Sequence, residues 1–544
     1  MAEAGLAKKD QFLPLCVVLT SEQFDAINNP PQKSPKKVDD PLLQELLQMK
    51  KEGQWLSIMK KFSPIDSLSK NHPEVWNDAK LVSEIGFSLG KLAETSPRDI
   101  PRDEPARTNF LKQQDNYRAL TQTLRKRCIE LQPNNPGYYS DLAYLHYLSA
   151  IEISLPRGRK GNVITEVNEA IANIDKALSL DSNRAKDLYR KGYLLTHILP
   201  KQIIFGGRDR NSDFQSRSNE ADVHKENGIQ AFEKVIDIWE SLSADDYRKG
   251  RFRGDYLKTL YSLGDTYHDS IFTKWDEALF ALDLREDVAS TDRPVFYQKD
   301  LEKLEKSWDC FHKCWQLTRS ESNSNPVVDD VYLLYSMGKV LFSKYWLLSG
   351  EGQINSHDVL EILSRSIRAL EKALETPWSQ NNQTQKKDFI AERLARAYIS
   401  KGEPHMAISI INKHRGKRLD AYIANTLALS LHSCDKHNEA RDVLLDAINN
   451  RGNKEMWLSH FLMGCSYLKE GNVKKASEAL NIARSEAKKA GKENVDGLLI
   501  GQAFCAYKSD QLTQSISFLE EAVASNPYRY SAQRRLDKWK AEAK

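Results

Sequence analysis

One stretch decides the fold of this 544-residue chain: it is Leu462-Met463-Gly464-Cys465-Ser466-Tyr467, continuing through Gly471 to Ala476, Leu480 and Ala483. Small and large residues here occupy the positions that two packed antiparallel helices need. A single hairpin of this kind cannot bury its own apolar face, so it requires similar hairpins on either side. The stretch therefore predicts an array of helical hairpins.

The same pattern recurs along the chain. Downstream of residue 386 the small residue of the first helix falls at intervals of 33, 36 and 39 residues, at Ala395, Ala428, Gly464 and Ala503. Upstream the intervals lengthen to 57, 49, 72 and 74 residues, between Gly86, Ala143, Gly192, Gly264 and Gly338. A period of about 34 residues explains the first set, and the same period with insertions explains the second.

On these residues the chain resembles the tetratricopeptide repeat (TPR) family, whose repeats are helical hairpins of about 34 residues. The resemblance covers most of residues 40–544 and is most specific over 386–527. The chain departs from the family pattern in lacking the usual first-helix tryptophan and in carrying long insertions. The resemblance implies an all-α, right-handed superhelical solenoid of about nine to ten TPR-like hairpins, several with long inserted loops.

Four segments follow from composition and periodicity. Residues 1–39 lack helical periodicity and contain prolines, which predicts a flexible tail and linker. Residues 40–378 are predicted to form irregular TPR-like repeats with insertions, and 386–527 a regular TPR array. Residues 528–544 are predicted to form a capping helix with a solvated outer face.

Composition indicates which compartment and which classes of partner to expect. The formal net charge is only +4, from 79 basic and 75 acidic residues, so the chain has no global field for nucleic acid or an anionic membrane. Its seven cysteines include no C-x-x-C pair, which favours a reducing compartment, and we expect a cytoplasmic protein. The apolar run 12–19 is too short for a membrane span, so no membrane partner is predicted.

Catalytic and cofactor motifs are absent from the sequence, which contains no phosphate-binding glycine loop, no H-E-x-x-H and no G-x-S-x-G. Cys310, His312 and Cys314 have the residue types of a metal site. On a helix, however, Cys310 and Cys314 share a face that His312 does not, which favours packing over metal binding. We therefore predict a protein that is not an enzyme and has no cofactor.

In such an array the first helices usually line the concave face, and the helical register identifies the side chains expected there. Most are aromatic or apolar, and they form a candidate groove for a protein or peptide segment. The groove candidates are Tyr332, Tyr335, Phe389, Arg396, Tyr422, Asn425, Leu429, Leu458, Phe461, Cys465, Ile500, Phe504 and Tyr507. The alternative is that tight winding buries these rings against one another as ordinary core.

Basic side chains in the insertions suggest a second function, that of a nucleic-acid-associated subunit of a larger effector complex. Such residues would contact phosphates, and binding would weaken steeply with salt. The candidates are Arg157, Arg159, Lys160, Arg208, Arg210, Lys413, Arg415, Lys417 and Arg418. The simpler interpretation of each cluster is a solvated loop.

The favoured function is a non-catalytic scaffold or adaptor for a protein partner, with oligomeric state left open.

Overall fold

The computed structural model describes most of the chain from residue 40 onward. The described residues are 40–94, 103–154, 161–205, 214–271, 281–282, 295–319, 327–349, 357–379, 387–414, 420–449, 456–489, 495–525 and 530–544. They are α-helical apart from short helical turns and connections, as the all-α prediction requires. The predicted tail, residues 1–39, lies outside them.

The chain divides into two compact units, residues 1–182 and residues 183–544, each described by itself. The helices of unit 1 are α1 (Pro41–Lys51), α2 (Trp55–Lys61), α3 (Leu68–Asn71), α4 (Pro73–Trp76), α5 (Ala79–Ala93), α6 (Glu104–Leu131), α7 (Pro136–Ser154) and α8 (Val163–Leu180). Helix α5 pairs with α6, and α7 pairs with α8. The shorter helices α1, α2 and α4 pack against α5.

Unit 2 begins with an extended first helix and continues as a run of hairpins. Its helices are α9 (Ala185–Tyr193), α10 (Leu199–Phe205), α11 (Phe214–Ser241), α12 (Tyr247–Asp269), α13 (Val295–Arg319), α14 (Asp330–Leu348), α15 (His357–Glu375), α16 (Asp388–Lys401), α17 (Pro404–His414), α18 (Ala421–His432), α19 (His437–Asn449), α20 (Met456–Lys469), α21 (Val473–Lys489), α22 (Asp496–Lys508), α23 (Leu512–Ser525) and α24 (Tyr530–Glu542).

Each hairpin in unit 2 packs its second helix against the first helix of the next hairpin. The pairs are α9–α10 with α11, α12 with α13, α14 with α15, α16 with α17, α18 with α19, α20 with α21, and α22 with α23. Helix α24 then packs against α23, where the sequence predicts a capping helix. This arrangement is the TPR-like solenoid predicted from the repeat pattern.

Local sequence signals set the helix ends. Asp78 and Asn162 begin helices α5 and α8 by accepting backbone N–H bonds, at 2.8 Å from Lys80 and 3.0 Å from Ile164. Gly402 and Gly471 end helices α16 and α20 in the left-handed region, with φ of 86° and 77°. The turns of the regular hairpins therefore use residues for which this backbone conformation is inexpensive.

The small residues of the repeat register lie where two helices approach most closely. A Cβ at Gly464 would be 2.7 Å from Cγ of Leu480 on the second helix, and one at Gly338 would be 2.7 Å from Cγ of Leu370. Ala395, which occupies the same register, is fully buried. Only a minimal side chain fits at these positions, which confirms the packing predicted from the opening stretch.

The upstream insertions are more helical than the loops predicted from sequence. Between residues 200 and 218, the first helix continues to Phe205 and the second begins at Phe214. A π-helical turn, Leu194–Ile198, joins α9 to α10. The long interval between Gly192 and Gly264 therefore comes from longer helices as well as from the chain between them.

The change from irregular to regular repeats is not a break between compact units. The boundary between units falls after Ser182, whereas the predicted change at residues 378–386 lies within unit 2. Helix α15 packs directly against α16 across that segment. Helix α15 ends at Glu375, before Pro377, and helix packing continues with α16.

The close approach at Gly464 gives a direct test of the packing. Gly464→Ala should lower the thermal unfolding midpoint, because its Cβ would overlap Leu480 and overpacking costs about 1–3 kcal/mol. Gly250→Ala is the matched control on helix α12. A Cβ there meets nothing within 4 Å, so the gain in helix propensity, about 1 kcal/mol, should raise the midpoint. Calorimetry showing a rise for both variants would contradict the packing.

Candidate functional site

The first helices of unit 2 form a continuous surface, which we call the first-helix face. Each first helix contacts the next one, from α9 to α12 and then through α14, α16, α18, α20 and α22. This is the surface on which the sequence places the candidate groove. The structure shows which of the predicted side chains are accessible there.

Six of the predicted groove residues lie in the interior of unit 2. They are Asn425, Leu429, Leu458, Phe461, Cys465 and Ile500. Phe461, only 2% exposed, packs toward α22, where a Cβ on Gly501 would be 3.2 Å from its ring. For these six residues the structure shows the alternative given above, namely burial as core between neighbouring hairpins.

Buried polar pairs join successive first helices beneath this face. The Glu392 carboxylate on α16 accepts a 2.8 Å hydrogen bond from the Thr426 hydroxyl on α18 and also binds Arg396. The next junction pairs Asn425 of α18 with Ser459 of α20, whose hydroxyl donates to the amide oxygen at 2.8 Å. Because buried polar groups are costly without partners, these pairs fix the register between hairpins.

The upstream first helices are joined in the same way by charged groups. Lys339 of α14 lies 2.9 Å from Asp265 of α12, and Ser343 lies 2.9 Å from the Nε2 atom of His268. Burial lowers the pKa of His268 to about 4, so this imidazole is neutral near pH 7. The Ser343–His268 contact therefore serves as a hydrogen bond between helices.

The chain itself covers part of the first-helix face at the end of helix α18. The Nε2–H group of His432 donates a 3.1 Å hydrogen bond to the backbone carbonyl of Ala281, which is fully buried. Leu282 beside it is also buried in the core of unit 2. Burial lowers the pKa of His432 to about 4. This end of the face is closed to a partner in the structure.

A different part of the first-helix face is partly open and strongly aromatic. Phe389 lies 4.9 Å from Tyr335 in an edge-to-face arrangement and 6.5 Å from Tyr332 between ring centroids. Trp378 lies 5.1 Å from Tyr332. We call these rings, together with Tyr422, the aromatic patch. All five side chains are half-buried.

The patch forms because three first helices begin side by side. Tyr332, Phe389 and Tyr422 lie in the first turns of α14, α16 and α18, and Tyr335 follows one turn later on α14. Asp329 caps α14 through the Val331 N–H at 3.1 Å. The N-terminal ends of these helices therefore present their rings on one side of unit 2.

Trp378 is a patch residue that the repeat register does not identify. It follows the end of helix α15, and Asp329 and Lys387 bind the backbone on either side of it. The Asp329 carboxylate accepts the Ser379 N–H at 2.9 Å. The Lys387 ammonium donates to the carbonyls of Ala373, Leu374 and Thr376, which closes the end of α15. In the sequence, the only indication of this ring's role is a tryptophan beside Pro377.

The last predicted groove residues, Phe504 and Tyr507, are half-buried and contact the C-terminal helix. Trp539 of α24 is 1% exposed and stacks on Tyr507 with ring centroids 4.4 Å apart. Its centroid lies 5.3 Å from that of Phe504, and Arg535 lies 5.5 Å from the Phe504 ring. Helix α24 therefore occupies this end of the first-helix face.

Most of the predicted phosphate contacts cannot be placed. Arg157, Arg159, Lys160, Arg208, Arg210, Arg415, Lys417 and Arg418 lie outside the described residues. Lys413 is exposed near the end of α17. The nucleic-acid hypothesis stays a prediction.

Unit 1 contains a polar pocket of about 220 Å³ between α6, α7 and α8. Its charged groups pair with one another. Arg118 binds the Glu152 carboxylate, and the Nδ1 atom of His146 lies 2.7 Å from Glu166. Internal pairing satisfies these side chains, so the pocket is a weaker site candidate than the aromatic patch.

Two cysteines of the candidate metal set, Cys310 and Cys314, lie in the core of unit 2. Cys310 and Cys314 are buried, and burial raises the pKa of each thiol to about 12. His312 instead lies beside the rings of Trp308 and Trp315. Within the described part of the chain, no three His, Cys, Asp or Glu side chains converge as a metal site. None of the described helices has the length and apolar character needed to cross a membrane.

No protein-family model matches the sequence, and no curated protein matches it. Solved structures do match at low identity. The Cut9–Hcn1 hetero-tetramer of the APC/C is 12% identical over 91% of this chain and 95% of that chain, with a TM-score of 0.28. The P58(IPK) TPR domain is 11% identical over 84% and 97%, with a TM-score of 0.20. Yeast Tom70 is 12% identical over 84% and 96%, with a TM-score of 0.25.

The hairpins themselves define the class of protein. Small residues at the closest helix approach, second helices packed on the next hairpin and first helices in mutual contact are all present in unit 2. Unit 2 is an all-α solenoid of TPR-type hairpins.

The two buried imidazoles predict acid sensitivity. His268 and His432 have pKa values of about 4 in the folded protein, whereas an unfolded histidine titrates near 6.5. Below about pH 6.5 the unfolded chain binds protons that the folded chain does not. Stability should therefore fall between about pH 6.5 and 4, by up to roughly 3 kcal/mol for each histidine.

Urea unfolding at pH 7.5 and pH 5 checks this dependence. His268→Gln with His432→Gln should reduce the difference in unfolding free energy between the two pH values. His357→Gln is the control, because that side chain is 96% exposed. An unchanged pH dependence in the double variant would show that these imidazoles do not control it.

Proposed function

We propose that the chain is a non-catalytic scaffold or adaptor that binds a segment of a partner protein at the aromatic patch. The observation that carries the proposal is the difference in side-chain burial between residues of the first-helix face. Tyr332, Tyr335 and Phe389 form a half-buried cluster, whereas Phe461 and Ile500 are fully enclosed. The patch thus offers aromatic surface, whereas helix α24 already stacks on the other half-buried rings of the predicted groove, Phe504 and Tyr507.

Half-buried aromatic rings suit protein recognition for a physical reason. Tyrosine, tryptophan and phenylalanine bury large apolar areas with few rotatable bonds, so binding costs little side-chain entropy. The rings already contact one another, and Asp329 and Lys387 hold the connection that carries Trp378. A partner would therefore meet a surface that is largely preorganised.

The proposal is narrower than a groove that runs the full length of the solenoid. Trp539 covers Tyr507 at one end of the first-helix face, and Ala281 covers His432 near the end of α18. We place the partner segment across the starts of α14, α16 and α18. The described cysteines are unpaired, which supports placing this scaffold in the reducing cytoplasm.

A photo-crosslinker in the patch tests the proposal. We expect p-benzoylphenylalanine at Tyr422 of the full chain, irradiated in its native cells, to give a discrete adduct with one protein. The same group at Tyr247, which is 78% exposed on α12, is the matched control and should not give that adduct.

Nuclease treatment separates the alternative role, that of a nucleic-acid-associated subunit. The Tyr422 adduct should survive nuclease and raised salt, because it depends on protein contact rather than on phosphate contacts. Loss of the adduct after nuclease would favour the alternative, and an equal adduct from Tyr247 would contradict the patch.

A further inference from the structure

Carboxylates accompany the aromatic rings at the start of three consecutive first helices. Asp329 and Asp330 precede Tyr332 on α14. Asp388 precedes Phe389 on α16, and Asp420 lies two residues before Tyr422 on α18. The same pairing of acid and ring thus recurs in three hairpins, on the surface that forms the aromatic patch.

Helix capping explains only some of these carboxylates. Asp329 accepts the N–H groups of Val331 and Ser379, at 3.1 Å and 2.9 Å. Asp388 accepts the adjacent Phe389 N–H at 3.0 Å. Asp420 stands at the N-cap position of α18, yet its side chain accepts no N–H of that helix. Within the described residues, its negative charge is therefore not used to cap this helix.

Two of these acids, Asp388 and Asp420, lie near the phenol of Tyr422. Burial is the main cause of its raised pKa, and the negative charges of Asp388, Glu392 and Asp420 raise it further. Such charges act only over short distances in a partly solvated site. The carboxylates of two neighbouring helices therefore lie close to one ring of the patch.

Two described positive groups near the patch, Lys387 and Arg396, are committed within the chain. Lys387 donates to three backbone carbonyls at the end of α15. Arg396 binds the Glu392 carboxylate. The Lys387 ammonium also lies 5.8 Å from the centre of the Trp378 ring, so a cation is accommodated at the patch edge. The carboxylates of Asp388 and Asp420 add negative charge that these two cations do not pair.

We propose that the aromatic patch receives a basic side chain, lysine or arginine, of the partner segment. This inference rests on the proposed function and names the chemistry of its partner. Ring faces attract cations through their quadrupoles, and the methylene groups of lysine and arginine pack on apolar surface. Asp388 and Asp420 supply the opposite charge. The combination favours a cation with an aliphatic stem over an acidic or purely apolar side chain.

A random twelve-residue peptide library, displayed on phage and selected against the immobilised full chain, tests this chemistry. Selected peptides should share a lysine or arginine. Replacing that residue with glutamine should weaken binding about tenfold in fluorescence anisotropy.

Asp388→Asn combined with Asp420→Asn should weaken peptide binding similarly while preserving side-chain shape. Tyr335→Ala should abolish it, and Tyr247→Ala, the matched control, should leave it unchanged. Thermal melts verify that every variant is folded.

The outcomes separate this inference from the proposed function. In the first outcome, the selected peptides lose binding with Tyr335→Ala, contain no basic residue and tolerate the two asparagine substitutions. That result overturns the basic-side-chain inference and leaves partner binding at the patch intact. Failure to select any peptide, or binding that is indifferent to Tyr335→Ala, overturns both. Dependence on the basic residue, on the two aspartates and on Tyr335 together supports both.

Discussion

The close approach of two helices within each hairpin underlies the rest of the structure. Gly464 lets Leu480 pack directly against the first helix, and Gly338 does the same for Leu370. A hairpin closed in this way still has apolar side chains on its outer surfaces, and these can be buried only against neighbouring hairpins. Stacking therefore follows from the glycine and alanine register. It also encloses the first helices between their neighbours.

The hairpins could be predicted from the sequence because their pattern is local. Gly464 and Leu480 are sixteen positions apart in one repeat, so their spacing reports a contact directly. Accessibility along the first helices could not be predicted in this way. Phe461 and Phe389 belong to the same predicted set, but one is enclosed by α22 and the other remains half-buried. The difference depends on neighbouring hairpins, which periodicity within one helix does not reveal.

Trp378 illustrates a second limit of prediction. Its segment reads as a helix break because Pro377 and the polar residues after Trp378 interrupt the repeat. The break nevertheless carries a ring to the patch, because Asp329 and Lys387 fix the connection after α15. Conversely, Trp539 stacks on Tyr507, so the capping helix removes part of the aromatic surface that the register alone predicts to be accessible.

Two sets of residues have different roles in unit 2: the buried polar pairs set the stacking of hairpins, and the aromatic patch is the proposed binding surface. Thr426 and Ser459 join successive first helices through buried hydrogen bonds, and these fix how the hairpins stack. Tyr332, Tyr335 and Phe389 gather only where that stacking brings the starts of α14 and α16 together. Partner binding at the patch would thus depend on correct stacking, even though the paired groups themselves are buried.

Hydroxyl-radical footprinting of the native full chain, read by mass spectrometry, tests the central claim that the first-helix face is open at the patch and closed around Phe461. Tyr335, Phe389 and Tyr422 should be oxidised at rates between those of the exposed Tyr247 and the enclosed Phe461 and Phe342. Oxidation of Phe461 as fast as that of Phe389 would contradict the account, because the predicted groove would then be open along its length.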